Sequence, residues 1–329
     1  MKTVPFLPVA AATVLVLALT GCAGNADGAT GPAKAAGYPL TIVNCGAEVT
    51  LQAPPERVVM LESSPVTYLR ELGVMDKVVA RAGAYPSEYF DAVTRADLDR
   101  IPLLTDKLDT SGHLQISQEV VLAQEPDLVL GSAENLNRET LAAAGIPLLQ
   151  HPSFCPQGLD GAPDFGTIND QLRTYGQIFG VEDRAATAAN ELADRVEQIS
   201  AEVDGAGQRT AAVLYPTLGG GTIYAYGTRS MAQPQLEAAG FENVFDDVDE
   251  RVFEVTREEL IGRNPDVLIL LHAEGDPSKV AEAVTSMKGA SSITAVANGD
   301  LMVQLFNFTE PPSPLAVTGL ERIIERFEQ

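Results

Sequence analysis

Short apolar runs rich in β-branched residues recur along the chain, and stretches with helical spacing of apolar residues separate them. The runs that predict strands are 58–61, 78–80, 128–130 and 146–149, followed later by 211–214, 223–226, 267–271 and 301–303. Strands that alternate with helices favour parallel pairing through crossover helices. The pattern therefore predicts an α/β protein whose strands fall into two series.

The longest uninterrupted helical pattern lies between these two series. No Gly or Pro occurs from 181 to 203, and apolar residues recur every three or four positions there, at Ala185, Ala189, Leu192, Val196, Ile199 and Val203. This spacing gives one narrow apolar stripe along a helix about 35 Å long. We expect a rigid helix that joins two α/β lobes, with 38–165 as the N-terminal lobe, 166–204 as the helical connector and 205–329 as the C-terminal lobe. A long helix packed on a single sheet is the alternative.

The N-terminal residues predict export. A basic start at Lys2 precedes an apolar run over 9–19, which is too short to span a bilayer but is typical of a signal-peptide core. The run ends in Leu19-Thr20-Gly21-Cys22, which resembles the lipobox of bacterial lipoproteins. The resemblance implies removal of 1–21, lipidation of Cys22 and anchoring on the extracytoplasmic side of the cell membrane, with 22–37 as a flexible tether. An ordinary signal peptide with an incidental Cys is the alternative.

Charge and cysteine content restrict the possible partners of the protein and the possible state of its cysteines. The 329 residues include 22 Lys and Arg and 45 Asp and Glu, which gives a formal charge of −23. A phosphate backbone requires a basic surface, so this balance argues against nucleic acid as a partner. Once Cys22 is lipidated, Cys45 and Cys155 are the remaining cysteines. An oxidising location makes them a candidate disulfide, and two buried free thiols are the alternative.

One phrase of the sequence occurs twice, 139 residues apart. Each copy has a helix-capping hydroxyl, a Glu two residues later and a Pro-Asp pair before a buried strand: Ser117, Glu119, Pro126 and Asp127 in the first copy, and Thr256, Glu258, Pro265 and Asp266 in the second. A carboxylate in the first turn of a helix is stabilised by the helix dipole, by about 0.3–1 kcal/mol, and this alone can explain either Glu. The repeat indicates two related lobes, each with an exposed Glu at a matching position.

Taken in order, these features resemble the substrate-binding proteins of ABC importers for ferric siderophores, haem and vitamin B12, over roughly 38–329. The residues that carry the resemblance are Pro55-Glu56-Arg57-Val58-Val59, the repeated phrase, the long helix and Pro312-Ser313-Pro314. The resemblance implies two Rossmann-like lobes joined by one rigid helix, with a metal chelate bound in the cleft between them and no other cofactor. It also implies that Glu119 and Glu258 dock onto Arg residues of a dimeric permease served by an ATPase. We expect a monomer without enzymatic activity.

Ligands of open α/β sheets bind beyond the carboxyl ends of the strands. The candidate ligand-binding residues are therefore those at the predicted strand ends: Glu62, Ser63, Ser64, Tyr85 and Ser132 in the first lobe, and Tyr215, Tyr226, Arg229, His272 and Phe306 in the second. Aromatic rings offer flat apolar surface to a large ligand, and Arg229 offers charge to a carboxylate, catecholate or phosphate.

Two other functions stay open at this point. Zinc- and manganese-binding relatives also have a bridging helix, although His272 has no His partner at metal-ligand spacing. A secreted lipoprotein hydrolase is the enzymatic alternative, although the chain has neither a G-x-S-x-G elbow nor a P-loop. The absence of Trp weakens the case for a corrinoid among the possible ligands.

Overall fold

The computed structural model of the chain describes Met1 and the residues 36–108, 114–133, 135–136, 138–201, 203, 209–219, 221–273 and 275–327. Residues 2–35, with Cys22 and nearly all of the predicted signal peptide and tether, lie outside this part, as does the predicted lobe boundary at 204–205. None of the described helices combines the length and the apolar composition needed to cross a membrane.

The described residues form strands and helices that alternate along most of the chain. The strands are β1 (Leu40–Asn44), β2 (Ala47–Leu51), β3 (Val58–Met60), β4 (Val78–Arg81), β5 (Leu128–Leu130), β6 (Leu148–Leu149), β7 (Arg209–Pro216), β8 (Ile223–Tyr226), β9 (Phe241–Asn243), β10 (Val252–Val255), β11 (Val267–His272) and β12 (Leu301–Leu305). The helices are α1 (Ser64–Leu72), α2 (Ala92–Arg100), α3 (Gln118–Leu122), α4 (Arg138–Ala143), α5 (Phe165–Phe179), α6 (Glu182–Ala201), α7 (Ala232–Ala238), α8 (Arg257–Arg263), α9 (Pro277–Thr285), α10 (Thr294–Asn298) and α11 (Pro314–Phe327).

Two main sheets organise these elements. The first has the strand order β4-β3-β5-β6 and is parallel throughout. The second has the order β10-β8-β7-β11-β12, with β9 beside β7. We call the parts built on these sheets the first lobe and the second lobe. The predicted α/β class is confirmed.

The expectation of parallel pairing is wrong for two strands of the second sheet. Strands β9, β7, β11 and β12 are parallel, but β8 is antiparallel to β7 and β10 is antiparallel to β8. The connection between β7 and β8 spans only 217–222. A link this short closes a hairpin, because a parallel crossover needs a dozen or more residues.

Helix α6 lies between the two sheets in chain order and matches the helix predicted over 181–203. Its buried side chains join the core of the first lobe, and they are Ala185, Ala188, Ala189 and Leu192. Nearer the end of the helix, Ile199 contacts the cores of both lobes, and Arg195 forms an ion pair with Glu321 of α11. The helix therefore reaches from the first core to the second. Its role as a single rigid connector stays a prediction, as do the lobe boundaries.

The repeated phrase has the same local structure in both lobes. Asp127 accepts a hydrogen bond of 2.8 Å from the backbone N–H of Arg57, just before β3. Asp266 accepts one of 2.9 Å from the backbone N–H of Thr210, near the start of β7. The residue two places before each Asp has positive φ, 49° in the first lobe and 47° in the second. Each Asp thus ties its own strand to the neighbouring strand, so the repeat is structural.

A hairpin that the apolar pattern does not predict precedes the first sheet. Strands β1 and β2 pair antiparallel, and the turn residues Cys45 and Gly46 have φ of 53° and 75°, as a type I′ turn requires. Asn44 exchanges hydrogen bonds of 2.8 and 3.0 Å with the backbone of Gln150. Next to this contact, Cys45 forms a disulfide with Cys155. The predicted pairing of these two cysteines is confirmed.

Removing the disulfide is expected to destabilise the protein. The bond closes a loop with a sequence separation of 110, for which the chain-entropy account allows about 4–5 kcal/mol as an upper figure. The double variant Cys45→Ala/Cys155→Ala is expected to lose about 4 kcal/mol of unfolding free energy in a urea titration. Reductant should lower the wild-type midpoint and leave that of the variant unchanged. A wild-type midpoint that does not respond to reductant would contradict the prediction.

Candidate functional site

Three of the candidate residues lie at neighbouring strand ends of the second sheet. Tyr215 is near the end of β7, His272 is the last residue of β11, and Phe306 directly follows β12. These three strands are parallel neighbours, and His272 is paired in register with Leu305. The rings of Tyr215 and Phe306 meet edge to face with 6.1 Å between centroids. Both rings are half-buried, whereas His272 is buried. The strand-end argument therefore places these three residues at one edge of the sheet.

The candidate residues of the first lobe follow three parallel strands in the same way. Glu62, Ser63 and Ser64 come after β3, Tyr85 after β4 and Ser132 after β5. The Tyr85 hydroxyl donates a hydrogen bond of 3.0 Å to the backbone carbonyl of Glu62. Glu62 and Tyr85 are half-buried, Ser63 and Ser64 are buried, and Ser132 is exposed. The structure brings Glu62, Ser64 and Tyr85 together and leaves Ser132 on the surface.

The Glu62 carboxyl lies in a poorly solvated environment. Burial raises its pKa from 4.5 to about 7, and the nearby Ser64 hydroxyl opposes this rise. The same surroundings raise the pKa of Tyr85 and of Tyr175 on α5, mainly through burial and also through the charge of Glu62. A raised carboxyl pKa indicates that burial has outweighed any compensating positive charge.

Tyr226 ends a strand that runs antiparallel to the strand of Tyr215, and Arg229 follows it in the chain. Because β8 is antiparallel to β7, the end of β8 lies away from the end of β7, and Tyr226 is paired with Val252. Tyr226 is buried in the core of the second lobe, and Arg229 pairs with Asp249 at 2.9 Å. Their roles as ligand-binding residues stay predictions that this placement does not favour.

An ion pair that the sequence analysis missed lies close to Tyr226. Arg251 donates a hydrogen bond of 3.1 Å to the carboxylate of Glu310, whose side chain is 1% exposed. The other carboxylate oxygen of Glu310 accepts a hydrogen bond of 2.6 Å from the backbone N–H of Met231. The guanidinium of Arg251 also lies 5.6 Å from the ring centroid of Phe154 in the first lobe. Burial raises the pKa of Glu310, and the charge of Arg251 opposes this rise.

Residues 306–314, which we call the crossover segment, lead from β12 to α11 and bind the first lobe. The backbone N–H of Asn307 donates to the Tyr89 hydroxyl at 2.9 Å, and that hydroxyl lies 3.2 Å from the Asn307 side-chain oxygen. The rings of Tyr89 and Phe308 meet edge to face at 5.1 Å. Tyr215 is close enough to add to the raised pKa of Tyr89, which burial mainly causes. Tyr89 and Asn307 therefore connect the two lobes beside the strand-end residues.

A second contact between the crossover segment and the first lobe lies at Pro312. Its carbonyl accepts hydrogen bonds from the Tyr68 hydroxyl at 2.7 Å and from His151 Nε2 at 2.9 Å. The other ring nitrogen of His151 accepts a hydrogen bond of 3.2 Å from the backbone N–H of Ser153. The neutral ring therefore satisfies both contacts, since one nitrogen donates and the other accepts. Burial lowers the pKa of His151 to about 4, the bond to Pro312 opposes this shift, and the charge of Arg251 adds to it.

This histidine is expected to make the protein less stable in acid. Its pKa is about 4 in the folded state and 6.5 when unperturbed, so the unfolded chain binds the extra proton first. Stability is complete above about pH 6.5 and falls by about 3 kcal/mol as the pH drops to about 4. The raised pKa values of Glu62 and Glu310 act in the opposite direction, so the measurement is the difference between wild type and His151→Gln. Urea unfolding of the two proteins at several pH values should show this difference, and parallel pH profiles would contradict the prediction.

The two candidate docking residues have matching positions and different electrostatic surroundings. Glu119 lies in the first turn of α3 and Glu258 in the first turn of α8, and both are exposed. The pKa of Glu119 is lowered by its own backbone N–H and by the Ser117 hydroxyl. The pKa of Glu258 is lowered chiefly by Arg257, with which it forms an ion pair. The negative charge of Glu258 is therefore partly compensated, whereas that of Glu119 is not paired with a cation among the described residues.

The chain is similar to known proteins over most of its length. A model of the family described as periplasmic binding protein matches residues 58–304. A cobalamin-binding protein of Halobacterium salinarum is 26% identical over 304 residues, which cover 89% of this chain and 75% of the relative. An uncharacterized ABC transporter substrate-binding lipoprotein of Bacillus subtilis is 23% identical over 320 residues, which cover 96% of this chain and 95% of the relative.

A solved structure is more similar in sequence. It is described as an ABC-type Fe3+-hydroxamate transport system from Saccharomonospora viridis, and it is 56% identical to this chain. The match has a TM-score of 0.82 and covers 89% of this chain and 100% of that one.

Proposed function

The chain belongs to the periplasmic binding protein family, and on that premise we propose that it captures a metal chelate outside the cytoplasm and delivers it to an ABC permease. The observation that carries the proposal is the 56% identity to the Saccharomonospora viridis structure described as an Fe3+-hydroxamate transport system. A ferric hydroxamate chelate is therefore the first candidate ligand. Cobalamin is the second, because the Halobacterium salinarum relative is described as binding it.

The strand-end residues suit such a ligand. Three aromatic residues keep part of their surface exposed: Tyr85 in the first lobe, and Tyr215 and Phe306 in the second. They lie at the edges of the sheets where ligands of α/β proteins bind. Aromatic rings provide broad apolar contact for the organic frame of a chelate. The metal arrives inside the chelate, so the protein needs no resident cofactor, and the proposed activity is binding without turnover.

Delivery requires a partner in the membrane. We assign Glu119 and Glu258 to docking on Arg residues of a permease dimer that is served by an ATPase, because both carboxylates are exposed at equivalent positions of the two lobes. Opposite charges at two equivalent positions fix the orientation of the two proteins and speed their encounter.

The binding protein acts as a monomer that a lipid on Cys22 anchors to the membrane. The variant Cys22→Ala should therefore no longer incorporate labelled fatty acid.

Calorimetric titration tests the binding function directly. The protein would be titrated with the ferric complex of a trihydroxamate, with cyanocobalamin, with haem and with zinc chloride, and each chelate would be recovered and analysed afterwards. We expect one-to-one binding of at least one chelate, recovered unchanged. Binding of zinc alone would favour a metal-ion importer, and chemical conversion of a chelate would favour an enzyme.

A further inference from the structure

Glu62 lies at the edge of the first sheet where the ligand is proposed to bind, and its side chain is half-buried there. It follows β3 by two residues, and the end of β5 lies directly against it. A Cβ atom placed on Gly131, which follows β5, would lie 3.0 Å from Cγ of Glu62. A side chain at position 131 would therefore crowd Glu62, and the glycine avoids this.

The described residues supply no cation to Glu62. The guanidinium of Arg81 lies 4.9 Å from the ring centroid of Tyr85. The Nε of Arg81 donates instead to the backbone carbonyls of Leu98 and Ile101, each at 3.3 Å. No ion pair of Glu62 with a described Lys, Arg or His is formed within 4.0 Å. The polar group beside its carboxyl is the Ser64 hydroxyl, whereas the Tyr85 hydroxyl donates to its backbone carbonyl.

In the second lobe, the guanidinium groups of Arg229 and Arg251 already form ion pairs. Arg251 pairs with the buried carboxylate of Glu310 at 3.1 Å, and Arg229 pairs with Asp249 at 2.9 Å. Neither is free to neutralise an anionic chelate, and the chain as a whole carries −23. The unbalanced charge among these residues is that of Glu62, which favours a ligand with a positive or hydrogen-bond-donating group.

We propose that Glu62 is a specificity-determining residue that accepts an ammonium or similar cationic donor group carried by the chelate. This inference rests on the proposed function of the same cleft. A carboxylate that is poorly hydrated gives up little solvation on binding a cation and gains a charge-assisted hydrogen bond. A chelate without such a group leaves the carboxylate buried without a partner and binds more weakly.

A matched pair of chelates tests the proposal. The ferric complex of desferrioxamine B carries one pendant ammonium, and its N-acetyl derivative has the same iron coordination without that charge. Calorimetry at pH 8, where Glu62 is ionised, would measure both with the wild type, with Glu62→Gln and with Glu88→Gln. Glu88 is an exposed carboxylate next to Tyr89, so its variant removes the same charge without touching the Gly131 contact.

The wild type is expected to bind the ammonium chelate at least about 10-fold more tightly than the acetylated one. Glu62→Gln should abolish this preference, and Glu88→Gln should retain it. Equal affinities in the wild type, or a preference that survives in Glu62→Gln, would overturn the role of Glu62 and leave the proposed function standing. If haem or cyanocobalamin binds but neither of the two ferric trihydroxamate chelates does, the role of Glu62 is likewise overturned and the proposed function stands. Failure of every chelate to bind would overturn the proposed function and this inference together.

Discussion

Replacing Glu119 and Glu258 together with alanine is expected to reduce chelate uptake by at least about 100-fold, because the two charge contacts that orient the protein on the permease are lost together. Both carboxylates are exposed, lie in the first turn of a short helix and are not among the candidate ligand-binding residues. The dissociation constant for the ligand should therefore stay near that of the wild type. The measurements are uptake of radiolabelled chelate by cells that lack their own copy of the gene, and calorimetry on the purified variant.

The matched control is the double variant Glu139→Ala/Glu182→Ala. These two glutamates are also exposed and also lie in the first turns of helices, α4 and α6. The control removes the same charge and the same helix-dipole interactions, so it should transport normally. Equal losses of uptake in both double variants, or a parallel loss of ligand affinity in the first, would argue against docking. Of the single variants, Glu119→Ala should be the more harmful, since Arg257 already compensates Glu258 in part.

Gly319→Ala is expected to cause a loss of unfolding free energy of about 3 kcal/mol or more, since overpacking of a rigid interior is costly. Gly319 lies in α11, where a Cβ atom would be 1.7 Å from the Phe308 carbonyl oxygen and 2.8 Å from Nε2 of Gln235. That Nε2 donates hydrogen bonds of 2.6 Å to the carbonyls of Phe308 and Ala316. The methyl group would therefore push the crossover segment away from α11 and break buried hydrogen bonds.

Gly262→Ala provides the control for helix propensity. Gly262 lies in α8 and is exposed, and a methyl group on its Cα would have no neighbouring atom within 4 Å outside its own helix. Alanine there should leave stability unchanged or raise it by up to about 1 kcal/mol. Urea unfolding followed by far-ultraviolet circular dichroism would compare both variants with the wild type. A Gly319→Ala midpoint that matches the wild type would show that α11 and the crossover segment separate without cost.

The apolar pattern of the sequence predicts most strands because each is a short buried run. The strands over 128–130, 223–226 and 267–271 are found within a residue of those bounds. The pattern misses β1 and β2, whose side chains alternate between exposed and covered positions, and the Cys45-Gly46 turn lacks the Asn or Asp that usually precedes the glycine of such a hairpin. The antiparallel pairing of β8 with β7 could also be predicted from the sequence, because the 217–222 connection is too short for a parallel crossover.

The cleft residues were harder to predict because their arrangement depends on contacts between distant positions. Arg251 and Glu310 are 59 residues apart, and neither lies at the end of a predicted strand. Tyr89 and Asn307 meet across a separation of 218 residues. No local periodicity encodes such pairs. The local structure of the repeated phrase could be predicted because helix caps, a Pro that ends a helix and a buried strand are all short-range signals.

The crossover segment also bears on the order in which the chain folds. Phe308 and the α11 residues Leu315, Ala316 and Val317 belong to the core of the first lobe, although they follow the last strand of the second. A chain that emerges N-terminus first therefore cannot close its first core until α11, which follows β12, has appeared. Contacts of such long sequence separation slow folding, and they make the two lobes depend on one another. We accordingly expect a single cooperative unfolding transition, with no first lobe that survives alone.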